Sequence, residues 1–87
     1  MGGYVYILQS VKNGRYYIGS CTNMERRLAE HARGHTYSTR NRGPWILKYN
    51  EACITLAEAR EKERAIKKWK SRKIIEKLIA SQSTMTL

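Results

Sequence analysis

Asn13-Gly14 lies between two short runs, YVYILQ at residues 4–9 and RYYIGS at residues 15–20, both rich in aromatic and β-branched residues. Asn-Gly flanked in this way is the strongest short-range hairpin signal, because both central residues of the favoured turn need positive φ. The start of the chain is thereby committed to an antiparallel pair of strands. A two-residue loop sets Tyr6 opposite Cys21, Leu8 opposite Gly19 and Ser10 opposite Tyr17. Side-chain alternation then puts Tyr4, Tyr6, Leu8, Tyr17 and Gly19 on one face of the sheet, and Val5, Ile7, Val11, Tyr16 and Ile18 on the other. The second face reads as core. The first is rich in phenols and holds a glycine, an unusual choice for a surface that only packs.

Thr22 followed by Glu25 has the spacing of a capping box and Gly34 suits a C′ position, so residues 23–33 are expected to be helical. Met24, Leu28 and Ala32 form the apolar stripe of that helix; Arg27 and His31 line one margin, while Arg26, Glu30 and Arg33 point away. Residues 34–45 make a polar loop with the only proline, and residues 45–49 read as a third strand. Thr55 with Glu58 is a second capping box, opening a helix near residue 56 whose inward positions are Leu56, Ala59, Glu63 and Ile66. Glu63 is therefore a carboxylate set in an otherwise apolar stripe. The stripe of Ile74, Ile75, Leu78 and Ile79 is rotated well away from it, which predicts a break near Ser71 and a final helix. Residues 81–87 read as a flexible tail. The elements run β-β-α-β-α-α in a single domain over residues 1–80.

Composition narrows the functions open to such a chain. At 87 residues there is no room for a doubly wound nucleotide-binding sheet or a TIM barrel. Lys and Arg number 17 against 7 acids, a net charge of +10, which points to a polyanion: nucleic acid first, an anionic membrane second. Every acid is Glu, which excludes EF-hand loops and paired-Asp metal sites. Two cysteines make no disulfide framework, and with the two histidines they lack the close pair spacing of a zinc site. Reduced thiols, the lack of a signal peptide and the lack of any run near the ~18 apolar residues of a spanning helix predict a soluble, unprocessed cytoplasmic protein.

Three features are candidates for chemistry, and each has an ordinary reading when taken singly. Tyr6 and Tyr17, with Gly19 admitting a close approach, could be cross-strand aromatic packing. Arg27 beside His31 could be a surface arginine laying its stem along the stripe. Glu63 could be a salt-bridge partner of a basic helix. Together they match the needs of phosphodiester hydrolysis. A base must generate hydroxide, a cation must stabilise charge developing on phosphorus, and a carboxylate can hold a hard divalent metal. A lone carboxylate suits one Mg²⁺ that keeps several waters. A tyrosine base, with an ordinary pKa of about 10, needs Arg27 and the metal to lower it.

The segments Tyr4-Val5-Tyr6, Tyr17-Ile18-Gly19 and Ser20-x₆-Arg27-x₃-His31, with Gly43-Pro44-Trp45-x-Leu47 and Ala59-x₃-Glu63-x₂-Ile66-Lys67-x-Trp69, resemble the GIY-YIG nuclease superfamily. Within it they are similar to the small stand-alone bacterial members called UPF0213. The resemblance runs from Tyr4 to Ile79. It implies an α/β (α+β) domain, a three-stranded antiparallel sheet flanked by helices, and Mg²⁺- or Mn²⁺-dependent cleavage leaving 5′-phosphate and 3′-hydroxyl ends. By the same resemblance Tyr6 is the general base, Tyr17 helps position or deprotonate the water, Arg27 contacts the scissile phosphate, His31 lies near the site and Glu63 is the single metal ligand. Two positions depart from the family pattern. Tyr4 stands where the first motif usually opens with glycine, and no asparagine follows Glu63 to make the last substrate contact.

The remaining cations suggest how a substrate would be held. Arg40 and Arg42 sit on the polar loop, and Lys67 and Lys68 on the basic helix; all four are expected to contact a nucleic-acid backbone, DNA ahead of RNA. The helix charges could equally be a solvated face. Affinity should fall steeply with salt. With no recognition domain attached, shape, strandedness or a protein partner would choose the substrate. Tyr37 or Trp45 could stack on unpaired bases, which favours single-stranded or branched DNA. The competing readings are a non-catalytic nucleic-acid-binding module that retains the fold, and an interaction protein that lays its basic helices on a membrane or an acidic partner.

Overall fold

In the computed structural model, residues 2–32, 44–69 and 72–84 are described. The elements are β1 (Gly3–Ser10), β2 (Tyr16–Cys21), α1 (Met24–Ala32), β3 (Trp45–Cys53), α2 (Leu56–Trp69) and α3 (Arg72–Thr84). The three strands form one antiparallel sheet in the order β2-β1-β3, so the first strand is central. The α+β architecture and its element order are those expected from the sequence.

The hairpin register differs from expectation by two residues. Tyr6 pairs with Gly19 and Leu8 with Tyr17, because the loop holds four residues, Val11 to Gly14. The cause is Ser10. Its buried hydroxyl accepts hydrogen bonds from the Lys12 and Asn13 amides at 3.1 and 3.3 Å, while the Gly14 amide donates to the Ser10 carbonyl at 2.9 Å. This local network replaces the tight turn, and Gly14 takes the positive φ, +74°. A slip of two preserves the faces, since the side-chain period is also two. Val11 alone moves, out of the strand and into solvent.

Each face of the sheet has its own cluster. Val5, Ile7 and Ile18 pack with Tyr49, Cys53, Ala59, Ile66 and Ile75, beneath α2 and α3. Tyr6, Leu8 and Cys21 pack with Tyr17, Met24, Leu28, Trp45 and Leu47, beneath α1. Burying one such aliphatic side chain contributes about 1.5–3 kcal/mol, so the central strand anchors both layers. The third strand serves both. Ile7 pairs with Tyr49 but Leu8 with Leu47, leaving Lys48 as the extra residue of a β-bulge. β3 runs to Cys53, four residues beyond the expected end, because residues 50–53 pair with Gly3 to Tyr6, and the bulge sends Tyr49 to the opposite face from Leu47.

The helix caps correct one expectation and agree with another. Asn23, not Thr22, caps α1, its Oδ1 accepting from the Arg26 amide at 2.9 Å. Thr55 caps α2 as expected, accepting from the Glu58 amide at 3.1 Å. On α2, Ala59 and Ile66 are buried and Leu56 and Glu63 half-buried, which matches the inward stripe. The last helix continues to Thr84, past the point where a tail was expected, and the break near Ser71 lies outside the described residues. Among the described residues no helix is long and apolar enough to cross a membrane.

Candidate active site

The alternation of β1 and β2 delivers Tyr6, Tyr17 and Gly19 to the face covered by α1. Gly19 makes the arrangement possible. A Cβ there would lie 2.5 Å from the Tyr6 hydroxyl and 2.6 Å from its Cζ, so the phenol occupies the space where any other residue would carry a side chain. Helix α1 adds His31, 3% exposed, whose Nε2 lies 3.0 Å from the Tyr6 hydroxyl. Its ring meets Tyr6 and Tyr17 edge-on at centroid distances of 5.8 and 5.2 Å, and Tyr17 also meets Trp45 at 6.3 Å. A spacing of four residues, about one turn of α1, puts Arg27 on the same side as His31. Thus Tyr6, Tyr17, Arg27 and His31 converge.

Burial sets the protonation of this cluster. Tyr6 is fully buried, which pushes its phenol well above the usual tyrosine value; Tyr17 adds to the rise, and the neighbouring Arg27 guanidinium opposes it. The same burial, followed by the positive charge of Arg27, lowers His31. The resting pair is therefore a phenol beside a neutral imidazole. The expected lowering of Tyr6 by Arg27 operates, but desolvation outweighs it. Arg27 Nε lies 3.2 Å from Glu30 Oε1 yet is not aligned to hydrogen-bond it, so this buried donor has no acceptor among the described residues. The guanidinium is held between the Glu30 carboxylate and the Tyr6 phenol.

Glu63 approaches from the other face, on α2. Its Oε1 accepts from Ser20 Oγ at 2.5 Å, and its Oε2 from Lys67 Nζ at 2.6 Å. Sequence reasoning missed Ser20 as the residue that holds Glu63. One more step of alternation past Ile18 would have aimed it at that helix. The donors fit a hard divalent cation in part. A carboxylate beside a hydroxyl supplies oxygen ligands, with water to complete the shell. No cluster of three metal-ligating side chains exists among the described residues, and the Lys67 ammonium sits where such an ion would have to compete. Lys68 is exposed on α2, whereas Arg40 and Arg42, with Tyr37, lie outside the described residues.

Comparison with known proteins agrees with this layout. A profile described as the GIY-YIG catalytic domain matches residues 2–77. The chain is 45% identical over 67 residues to UPF0213 protein DP2720 of Desulfotalea psychrophila, covering 74% of this chain but only 59% of that relative's length. It is 39% identical over 74 residues to UPF0213 protein BH0048 of Halalkalibacterium halodurans, covering 84% of this chain and 78% of that protein. The solution NMR structure of UPF0213 protein BH0048 from Bacillus halodurans matches with a TM-score of 0.58 at 38% identity, over 92% of this chain and 84% of that one. On sequence and on fold alike, the chain belongs to the GIY-YIG nuclease superfamily, among its UPF0213-type members.

Proposed function

We propose that the chain hydrolyses phosphodiester bonds of DNA in a divalent-metal-dependent reaction, leaving 5′-phosphate and 3′-hydroxyl ends. The observation that carries this reading is the buried Tyr6–His31 contact at 3.0 Å, with Arg27 beside it. A phenol that serves as a base must first give up its proton. A neutral imidazole at hydrogen-bond distance can accept the phenol's hydrogen bond and orient it. Burial opposes ionisation, so Arg27 and the bound metal would have to offset it, and the phenolate, once formed, is a strong base toward water. Tyr17, edge-on to His31, would orient that water. Arg27, ion-paired to Glu30 through Nε, would present its guanidinium to the scissile phosphate and stabilise the charge that develops there.

Glu63 would hold the metal, with Ser20 fixing the carboxylate and Lys67 releasing Oε2. When bound, a divalent ion supplies charge to the phosphoryl and leaving oxygens, as metals generally do in nucleases of this family. Arg40, Arg42, Lys67 and Lys68 hold the backbone, and the net charge of +10 makes affinity fall with salt. The occupation of Glu63 Oε2 by Lys67 is the one observation that favours the alternative, a nucleic-acid-binding module without catalysis.

One experiment separates the two. Metal-stripped protein is incubated with labelled single-stranded, duplex, flap and four-way DNA, with and without Mg²⁺ or Mn²⁺, beside Tyr6→Phe and Glu63→Ala. The parent should cut only with metal, and both variants should fail. Equal cutting by the variants would falsify the assignment, and binding without cutting by the parent would establish the alternative.

A further inference from the structure

A cleft beneath the hairpin shares only Lys67 with the chemistry above. Arg15 from the end of the loop, Lys67 from the last turns of α2 and Arg72 from the start of α3 line it, and Tyr16, Ile18 and Ile66 supply an apolar floor. Its volume is about 370 Å³, at the small end of the ~300–1,000 Å³ typical of ligand clefts. Bringing three cations from three elements to one cleft is unfavourable unless an anion offsets them. Two are partly offset on their own helices, Lys67 by Glu63 at 2.6 Å and Arg72 by Glu76 at 3.2 Å. The second is an exposed pair and the first is exposed on its lysine side, so both contribute little and a phosphate can displace them. The Arg15 guanidinium has no carboxylate partner among the described residues.

The aromatic floor adds a second requirement. Arg72 lies over the Tyr16 ring, 4.9 Å from its centroid, and the Tyr16 hydroxyl reaches Glu76 at 3.4 Å. A cation stacked on an aromatic ring, beside aliphatic surface, offers charge to a phosphate and a flat apolar wall to a base. Lys67 joins this cleft to Glu63, so whatever fills it lies next to the residue assigned to the metal.

We infer that the cleft holds one unpaired nucleotide of the substrate strand, its phosphate among Arg15, Lys67 and Arg72 and its base against Tyr16 and Ile18. The inference rests on the nuclease reading for the identity of the strand as substrate. It extends that reading to a substrate class: a base laid against Tyr16 and Ile18 must first leave its stack, which is least costly in an unpaired strand, so a single-stranded or branched substrate is selected over continuous duplex.

Binding in EDTA, where no metal-dependent cleavage occurs, tests the cleft apart from catalysis. A labelled single-stranded oligonucleotide and a blunt duplex of the same sequence are titrated with the parent and with Arg15→Gln/Arg72→Gln. The double variant should bind the single strand about tenfold less tightly. Its slope of log affinity against log salt should fall by about 1.4, roughly 0.7 for each lost phosphate contact. Duplex affinity should change less than about twofold. A thymidine trinucleotide titrated into ¹⁵N,¹³C-labelled parent should shift the Ile18 and Ile66 signals, a readout that does not depend on the variant folding. An unchanged single-strand affinity and slope in a folded double variant, or shifts confined to the Tyr6–Tyr17–His31 face, would overturn the inference. If the cleft variant loses binding but the parent never cuts with Mn²⁺, the nuclease reading fails and the cleft stands. If the parent cuts and the variant binds normally, the cleft fails alone.

Discussion

The two faces of β1 are equally buried and unequally used. Val5 and Ile7 on one side, and Tyr6 and Leu8 on the other, all have 0% exposure. Beneath α2 and α3 the neighbours of Val5 and Ile7 are mainly aliphatic, and the layer holds the fold together. Beneath α1 a phenol, an imidazole and a guanidinium share the interior, and a glycine clears the space they need. Burying those polar groups costs stability that an aliphatic layer would not forgo. One face therefore mainly stabilises the chain, with Ser20 and Glu63 on its α2 side as the exception, and the other is held at some expense to stability, as a reacting site is. The same strand can do both because alternation separates the two duties by a single residue.

Substitutions that hit one face at a time should separate activity from stability. The largest effect belongs to Tyr6→Phe, which keeps the ring and removes the proposed base: cleavage should fall about 10²–10⁴-fold, whereas loss of the buried contact with His31 should cost only about 1–3 kcal/mol of stability. A variant with full activity would return Tyr6 to packing. Ile7→Ala, one residue away, should do the reverse, losing about 2–5 kcal/mol in urea unfolding while the molecules that remain folded cut normally. Gly19→Ala should disturb both properties. Its methyl meets the Tyr6 hydroxyl, at a cost of about 1–3 kcal/mol, and the displaced phenol should lose its contact with His31. Unaltered activity in that variant would show that the contact is dispensable.

Smaller effects sharpen the electrostatics. His31 is lowered in the folded state, so the unfolded chain binds more protons in the interval below the ordinary histidine value near 6.5. Stability should therefore decrease as pH falls through that interval, by at most about 1.4 kcal/mol per pH unit for one proton. His31→Gln should flatten the dependence, and an identical pH profile in that variant would remove His31 as its source. Lys67→Met should raise Mn²⁺ affinity roughly two- to fivefold by freeing Glu63 from an exposed ion pair, as read by electron paramagnetic resonance. No gain would mean that Glu63 does not bind the ion.

Periodicity carried much of this into the sequence. The faces of the hairpin, the margin shared by Arg27 and His31, and the inward position of Glu63 all follow from periods of 2 and 3.6 residues, which survive errors of local detail. The register did not survive, because the side chain of Ser10 rewrote the turn. The first cap was misplaced by one residue because Thr22 and Asn23 are both competent, and only the backbone path chooses between them. The cleft of Arg15, Tyr16, Lys67 and Arg72 was invisible for a different reason. It depends on how α2 meets α3 and on where the loop falls, neither of which any local pattern encodes. Ser20 lies between these cases, since its face was legible and its partner was not.

The bulge at Lys48 also determines which substitutions feel one another. Leu47 and Tyr49 are two residues apart on one strand, a spacing that normally means a shared face and coupled packing. Here they enter different clusters. Their effects on stability should then add like those of independent sites, whereas Tyr49 should couple to Ile66, distant in sequence and in the same cluster. Energetically, β3 behaves as two short strands joined end to end, each reporting on a different side of the molecule.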